Sequence, residues 1–421
     1  MKIQVEQSCP QCGGSVTLSV EDRLLTCPYC QVKSFLQVAG AFRYALPNRV
    51  RAEKQGQILY APYLRFKGNI FTVSEAGIAY KVLDTTQDGC PQPGLPPSLG
   101  LRPQAMKLVR ISQETRGRFL PLAVNLQKVL EKAARIHALS HKESHKEDEV
   151  LYHRAYIGET LSYIYLPLLP REDGLFDAVL GEPLAHADPA ALQALNSTPF
   201  RPHWQMQFLA TLCPRCGWTL DGEGDCLVLT CSNCDTAWII GKNGLTQTPC
   251  TIFPGPSDTA LYLPFWRIRV NLPAVEIQSF ADFIRRTNQP LVPRKEWEQQ
   301  PMQFWIPAFK LRPKIFLRTA RQATISQWRL TREGQEKEMR VVPNMYPVTL
   351  PLSEARQSLK LILAESATNK RKIYPHLPYV RPEVISTSLV FLPFRDRHHD
   401  WVQIPGGTVI AKSVLHFGRA L

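Results

Sequence analysis

Apolar and polar residues alternate in short runs along much of the chain. Val16, Leu18 and Val20 recur with a period of two, Glu21-Asp22-Arg23 forms a polar turn, and Leu24-Leu25-Thr26 leads back. That pattern predicts a hairpin. A second hairpin is predicted by Trp218-Thr219-Leu220, the polar stretch Asp221–Asp225, and Leu227–Thr230. Two longer aliphatic and aromatic runs, Tyr60–Lys67 and Tyr262–Arg269, predict buried strands. Each carries a proline (Pro62, Pro264), expected at a strand start, an edge or a bulge. The period becomes helical at Leu122, Leu126, Val129, Leu130 and Ala133, and again at Leu352, Ala355, Leu359, Ile362 and Leu363.

These patterns come in pairs, in the same order. Tyr60-Ala61-Pro62 corresponds to Tyr262-Leu263-Pro264, Leu101-Arg102-Pro103 to Leu311-Arg312-Pro313, Leu120-Pro121-Leu122 to Leu350-Pro351-Leu352, and Tyr165-Leu166-Pro167 to Phe391-Leu392-Pro393. The spacing between partners changes mainly where the second copy holds an extra segment, residues 314–349. A tandem duplication follows as the expectation. The fold class is a strand-rich α+β protein, each half a ribbon followed by a mixed sheet domain with one principal helix. The expected spans are 1–38 and 206–240 for the ribbons, and 39–205 and 241–421 for the domains.

The chemistry is concentrated in cysteine. Cys9 and Cys12, then Cys27 and Cys30, form two C-x-x-C pairs, and Cys213, Cys216, Cys231 and Cys234 repeat them at a constant offset of 204. Four thiolates at this spacing suit a tetrahedral Zn²⁺. They close the coordination shell and leave no position for a catalytic water, so the metal is expected to fold the ribbon. Gly13 and Gly217 follow a second cysteine, where a tight turn calls for positive φ. Redox-active iron and a dithiol pair are the competing readings. The latter normally caps a helix, whereas these pairs flank hairpins.

The cysteine pairs resemble those of rubredoxin-like and TFIIB-type zinc ribbons, and, with the Tyr-x-Pro strand behind them, those of bacterial zinc-ribbon proteins. The resemblance covers the eight ligands and a few strand residues. It implies two structural zinc sites and carries no activity, since such ribbons serve nucleic-acid machines and protein adaptors alike. Cys231-Ser232-Asn233-Cys234 lacks the proline of the other three knuckles.

Length and charge widen the picture only a little. A chain of 421 residues is expected to make two to four folded units. With no apolar run near the ~18 residues of a membrane span and no leader-like N-terminus, paired cysteines point to metal and to a reducing cytoplasm. A formal charge of +14 favours a polyanionic partner: nucleic acid, an anionic membrane surface met peripherally, or an acidic protein. The extra segment concentrates that charge in Lys314, Arg318, Arg321, Arg329, Arg332 and Arg340, with Phe316 and Trp328 interleaved. This is the pattern of a phosphate-and-base surface, and equally of an exposed β-hairpin with anchoring aromatics. Cys90, Cys226 and Cys250 read as ordinary thiols. His398-His399-Asp400 and the series His137, His141 and His145 read as solvated surface.

No nucleotide-binding, hydrolase or zinc-protease motif occurs. The leading expectation is therefore a non-enzymatic zinc-binding adaptor or scaffold for a multiprotein assembly. The alternatives are a nucleic-acid-binding protein using the ribbons and 314–349, and an enzyme whose site lies in one half.

Overall fold

The structure, a computed structural model, describes residues 3–124, 150–185, 188–241, 244–255, 259–330, 337–403 and 406–418. Strand accounts for 41% of it and helix for 19%, the α+β balance expected from the alternating patterns. The chain packs as two units. The first comprises Met1–Lys67, Leu83–Ser144 and Glu159–Ala210, and the second Gly68–Val82, His145–Gly158 and Thr211–Leu421.

In chain order, the strands of the first half are β1 (Gln4–Ser8), β2 (Ser15–Ser19), β3 (Leu24–Thr26), β4 (Lys33–Gln37), β5 (Phe42–Ala45), β6 (Leu59–Ser74), β7 (Gly77–Asp88), β8 (Leu108–Arg110), β9 (Arg118–Phe119), β10 (Leu151–Arg171), β11 (Gly174–Asp177), β12 (Glu182–Pro183) and β13 (Gln207–Ala210). One sheet runs β12-β11-β10-β5-β8-β1-β2, with β6 paired to β10, β7 and β9. The connected ends of β6 and β7 and the start of β10 belong to the second unit.

The remaining strands are β14 (Val228–Cys231), β15 (Thr236–Gly241), β16 (Gly244–Thr248), β17 (Cys250–Ile252), β18 (Leu261–Asn271), β19 (Gln303–Pro307), β20 (Lys337–Glu338), β21 (Glu383–Arg397), β22 (Asp400–Gln403) and β23 (Val409–Ala411). Here the main sheet runs β19-β18-β21-β17-β20, with β22 on β21 and β23 on β22. Strand for strand, this is the order β7-β6-β10-β5-β8 with β11 on β10 and β12 on β11. The senses agree as well: β10 is parallel to β5 and β21 to β17, whereas β11 and β22 return antiparallel.

The proline in each Tyr-x-Pro strand has a shared explanation. The Pro62 carbonyl accepts from Gly89 N–H, one residue past the end of β7, and the Pro264 carbonyl accepts from Ala308 N–H, one residue past the end of β19, both at 2.9 Å. N and C=O of one strand residue face the same side, so the missing N–H faces the place where the neighbouring strand has just ended. The proline lies in a central strand but sits at a local edge, where its carbonyl alone joins the ladder. The tyrosine before it repeats too: Leu120 N–H donates to Tyr60 O and Tyr346 N–H to Tyr262 O.

Three expectations about local structure are corrected. First, β2 does not pair with β3. It pairs with β1, and β3 pairs with β4, because each C-x-x-C knuckle is itself the reversal that brings its flanking strands together. Second, residues Pro313–Ile325 form a helix, not a β-hairpin. Phe316, Leu317, Ala320 and Ala323 are buried along one face and Pro313 starts the helix, where its lack of an N–H costs nothing. Third, the second half has more than one principal helix. Phe280–Arg286 and Pro313–Ile325 add to the expected one, which divides into Leu352–Gln357 and Leu359–Ser366. At the division Ser358 is buried and its Oγ donates to the Ala355 carbonyl, a back-bond that bends helices. Of the first-half helix only Leu122 lies among the described residues. None of the described helices is long and apolar enough to cross a membrane.

The second unit's core is aromatic. Trp266, Trp305, Phe304 and Phe309 are buried, and Phe265 stacks on Phe394 across β18 and β21. In the first unit the Tyr-x-Pro strand carries a buried charge. Arg65 grips Asp84 with Nε and Nη2, both at 2.8 Å. Its counterpart Arg267 donates from Nε to Ser388 Oγ at 3.0 Å. Replacing Asp84 by Ala strands the buried guanidinium, and a loss of about 3 kcal/mol is expected. The measurement is urea unfolding, with a lowered midpoint in Asp84→Ala and partial recovery in Asp84→Glu.

Candidate metal centres

Each knuckle is built by backbone bonds that turn the chain toward its sulfurs. Cys9 N–H donates to Gly14 O and Gly13 N–H returns to Cys9 O. Cys213 bonds in the same way with Trp218 and Gly217, and Cys27 with Val32 and Gln31. These reversals need a left-handed residue. Gly13 (φ 72°) and Gly217 (φ 76°) supply it after the second cysteine, as their positions predict. After the fourth cysteine the same region is occupied by Gln31 (φ 59°) and Asp235 (φ 53°), which sequence pattern alone did not single out. Asp tolerates this conformation better than most residues.

The eight cysteines converge as two tetrads. Within each, all four Sγ atoms lie within 4.8 Å of one another. In the first, Cys9 and Cys30 are 3.7 Å apart and Cys12 and Cys27 3.6 Å. In the second, Cys213 and Cys234 are 3.6 Å apart and Cys216 and Cys231 3.5 Å. A tetrahedron with Zn–S bonds of about 2.3 Å has edges of about 3.8 Å. Both tetrads therefore fit a metal ion held by four sulfurs. The knuckle amides favour thiolate at one cysteine of each tetrad, whereas Cys30, against the pull of the Val32 N–H, and Cys231 are pushed up to about 12 by burial and neighbouring sulfurs. N–H groups of Cys30 and Tyr29 bring the Cys27 thiol down to about 6. Burial pushes Cys213 up, but the N–H groups of Arg215 and Cys216 outweigh it and bring that thiol to about 6 as well.

The two centres differ in their surroundings. Thr236 Oγ1 lies 3.1 Å from Cys234 Sγ and 3.8 Å from Cys213 Sγ, and accepts the Trp238 indole N–H at 2.9 Å. Toward a thiolate, which can only accept, the hydroxyl is the donor. Val32 occupies the matching position in the first ribbon and has no hydroxyl. The aromatic residue beside the cluster also changes place. In the first ribbon it is Tyr29, whose ring lies so close to Gly14 that a Cβ there would meet it at 2.5 Å. In the second, the Gly14 position is Trp218 and the Tyr29 position is the smaller Asn233, which bonds Cys216. Neither knuckle accommodates both large rings.

Each ribbon is tied to its own unit. β1 lies parallel to β8, and the Tyr44 hydroxyl donates to Val20 O. In the second ribbon, Leu227 N–H donates to Val348 O, and Asp235 Oδ1 accepts from Val341 N–H, both at 2.8 Å. Arg340 is thus placed beside the second ribbon. Lys314, Arg318 and Arg321 lie instead along the outer face of the helix Pro313–Ile325, Arg329 is exposed, and Arg332 lies outside the described residues.

The other candidates fall away from the metal. Cys90 and Cys226 are buried, and burial pushes the thiols of Cys226 and Cys250 up to about 12. His398 and His399 are exposed in the two-residue turn between β21 and β22, the counterpart of Glu172-Asp173 between β10 and β11. His137, His141 and His145 lie outside the described residues. A cavity of about 1550 Å³ in the first unit is lined by charges of both signs, among them Arg49, Arg51 and Lys54 with Glu53, Glu172 and Asp173.

Two outcomes are expected. Thr236→Val removes the hydroxyl bonded to sulfur and should weaken metal retention at the second centre by about tenfold or more, leaving the first unchanged, in a chelator competition. Acidification should release metal from both. The Cys27 and Cys213 thiols are lowered from 9.0 to about 6, so the stability they confer is full above about 9, is partly lost at neutral pH and is gone as pH falls through about 6. A colorimetric zinc assay across that range checks it.

Set beside known protein families, curated proteins and solved structures, the chain has no match, so the two tetracysteine centres rest on their own geometry.

Proposed function

We propose that this chain is a non-enzymatic, zinc-stabilised scaffold that docks into a protein assembly through its ribbon tips. One observation carries the reading: each four-thiolate cluster is flanked by a large exposed aromatic, Tyr29 at 69% and Trp218 at 57%. Tyrosine and tryptophan on a rigid support are favoured anchors of protein interfaces. Zinc is the metal in this reading, because four sulfurs at hairpin knuckles suit it and leave no reactive position. The absence of an open coordination position supports a structural role. In the large cavity most charges are exposed and of both signs, and the buried one, Asp177, is paired with Arg102.

The same reading takes the chain as a tandem duplication, 1–38 with 39–205 and 206–240 with 241–421. The repeated strand order and repeated backbone bonds of the two sheets support it. Eight zinc-ligating thiolates fit a reducing cytoplasm.

The test uses the full chain, purified from its native cell under mild conditions. Tyr29→Ala and Trp218→Ala should each retain bound zinc yet lose co-purifying protein, the double variant losing most. A wild-type chain recovered as a lone monomer, or partners retained by the double variant, would overturn the proposal.

A further inference from the structure

The second unit contains a run of positive charge with no carboxylate in it. From residue 366 to residue 382 the chain holds Lys370, Arg371, Lys372, His376 and Arg381 and no Asp or Glu. The run folds as a short helix, Lys370–Ile373, and a 3-10 turn, Tyr374–His376. Ile373, Tyr374, Leu377 and Val380 are buried, which leaves the cations outside.

The hydrogen bonds made by these cations do not neutralise them. Lys370 Nζ donates to Ala76 O and Lys360 Nζ to Leu377 O, both at 2.9 Å. Arg381 Nη1 donates to the carbonyls of Pro378 and Val380. All are neutral acceptors. Arg371 and Lys372 are exposed and have no hydrogen-bond or ion-pair partner among the described residues. Burial lowers the Lys360 pKa and the neighbouring Arg381 charge adds to the effect, so two cations face one another here. Carboxyls flank the run rather than enter it: Glu365 and Glu383 at its ends, the first pushed up by burial against the opposing charges of Arg321 and Lys370.

One aromatic ring stands among these charges. Tyr379 is 74% exposed, and its N–H is fixed to His376 O at 2.9 Å. Pro375, Pro378 and Pro382 restrict the backbone around it, so the ring is presented at little conformational cost. An anionic membrane would call for several apolar side chains beside the cations, but those of this run are buried. A duplex would leave the ring unused. Guanidinium groups beside one free ring suit phosphates interleaved with an unpaired base.

We propose that Lys360, Lys370, Arg371, Lys372 and Arg381, with Tyr379, form a surface for single-stranded nucleic acid, the cations on phosphates and the ring stacked on a base. The test is fluorescence anisotropy of the zinc-loaded full chain with a labelled oligo(dT) of about 20 nucleotides, a duplex of equal length, and phosphatidylserine vesicles, between about 50 and 200 mM salt. Single strands should bind more tightly than duplex. Arg371→Ala with Lys372→Ala should reduce the logarithmic salt slope by about 1.4. Tyr379→Ala should weaken single-strand binding about fivefold or more and leave duplex binding unchanged, with Tyr379→Phe retaining it. No single-strand binding at the lower salt would overturn the proposal. So would binding lost only in Lys314→Ala with Arg318→Ala, or vesicle binding that these variants abolish while oligonucleotide binding is absent.

Discussion

Four negative sulfurs can be gathered within 4.8 Å only if the chain also supplies donors to stabilise them. The knuckle turn does both jobs. Its reversal aims N–H groups at the thiolates, and the left-handed residue that permits the reversal, Gly13, Gln31, Gly217 or Asp235, ends the turn and starts the next strand. The ribbon hairpins pair across the knuckles for the same reason. With the metal bound, each ribbon is a rigid piece whose attachments are short and local: β1 along β8 in the first unit, and Val341 and Val348 against the second ribbon in the other. Asp235 shows the economy of the design, since its backbone completes a knuckle while its carboxylate holds the neighbouring segment.

The sheets behind the ribbons depend on a different constraint, the hydrogen-bond inventory around one proline. Pro62 and Pro264 are tolerated in central strands because the adjacent strand ends beside them and only their carbonyls are needed. That requirement sets where β7 and β19 stop. The same register places Arg65 opposite Asp84 and Arg267 beside Ser388, so the repeated motif meets different partners in the two sheets. The two sheets use one backbone solution with different side-chain chemistry.

The positive charge of the chain is likewise sorted by local packing. On the helix Pro313–Ile325 the apolar stripe faces inward, leaving Lys314, Arg318 and Arg321 in a row. In the run 366–382 the buried Ile373, Leu377 and Val380 have the same effect, and the run itself holds no carboxylate. Charge counted over the whole chain says little. Charge left over after the apolar residues have turned inward defines a surface.

Much of the metal chemistry was legible from residue spacing, because coordination depends on residue type and on a few turns of local backbone. The eight ligands, the positive φ at Gly13 and Gly217 and the aromatic strands could all be read that way. The helix at Pro313–Ile325 is also written in the period of Phe316, Leu317, Ala320 and Ala323, although its interleaved charges suit a hairpin equally well. Other features were beyond sequence reasoning. The pairing of β1 with β2, the service of Thr236 to Cys234, the exchange of Tyr29 and Gly14 for Asn233 and Trp218, and the bond from Lys370 to the Ala76 carbonyl all join residues according to where the chain folds back. The sequence by itself determined the metal ligands and the alternation of strands, since both are set within a few residues. Only the tertiary structure decided which strands pair and which cations gather, since those outcomes depend on burial shared between distant segments.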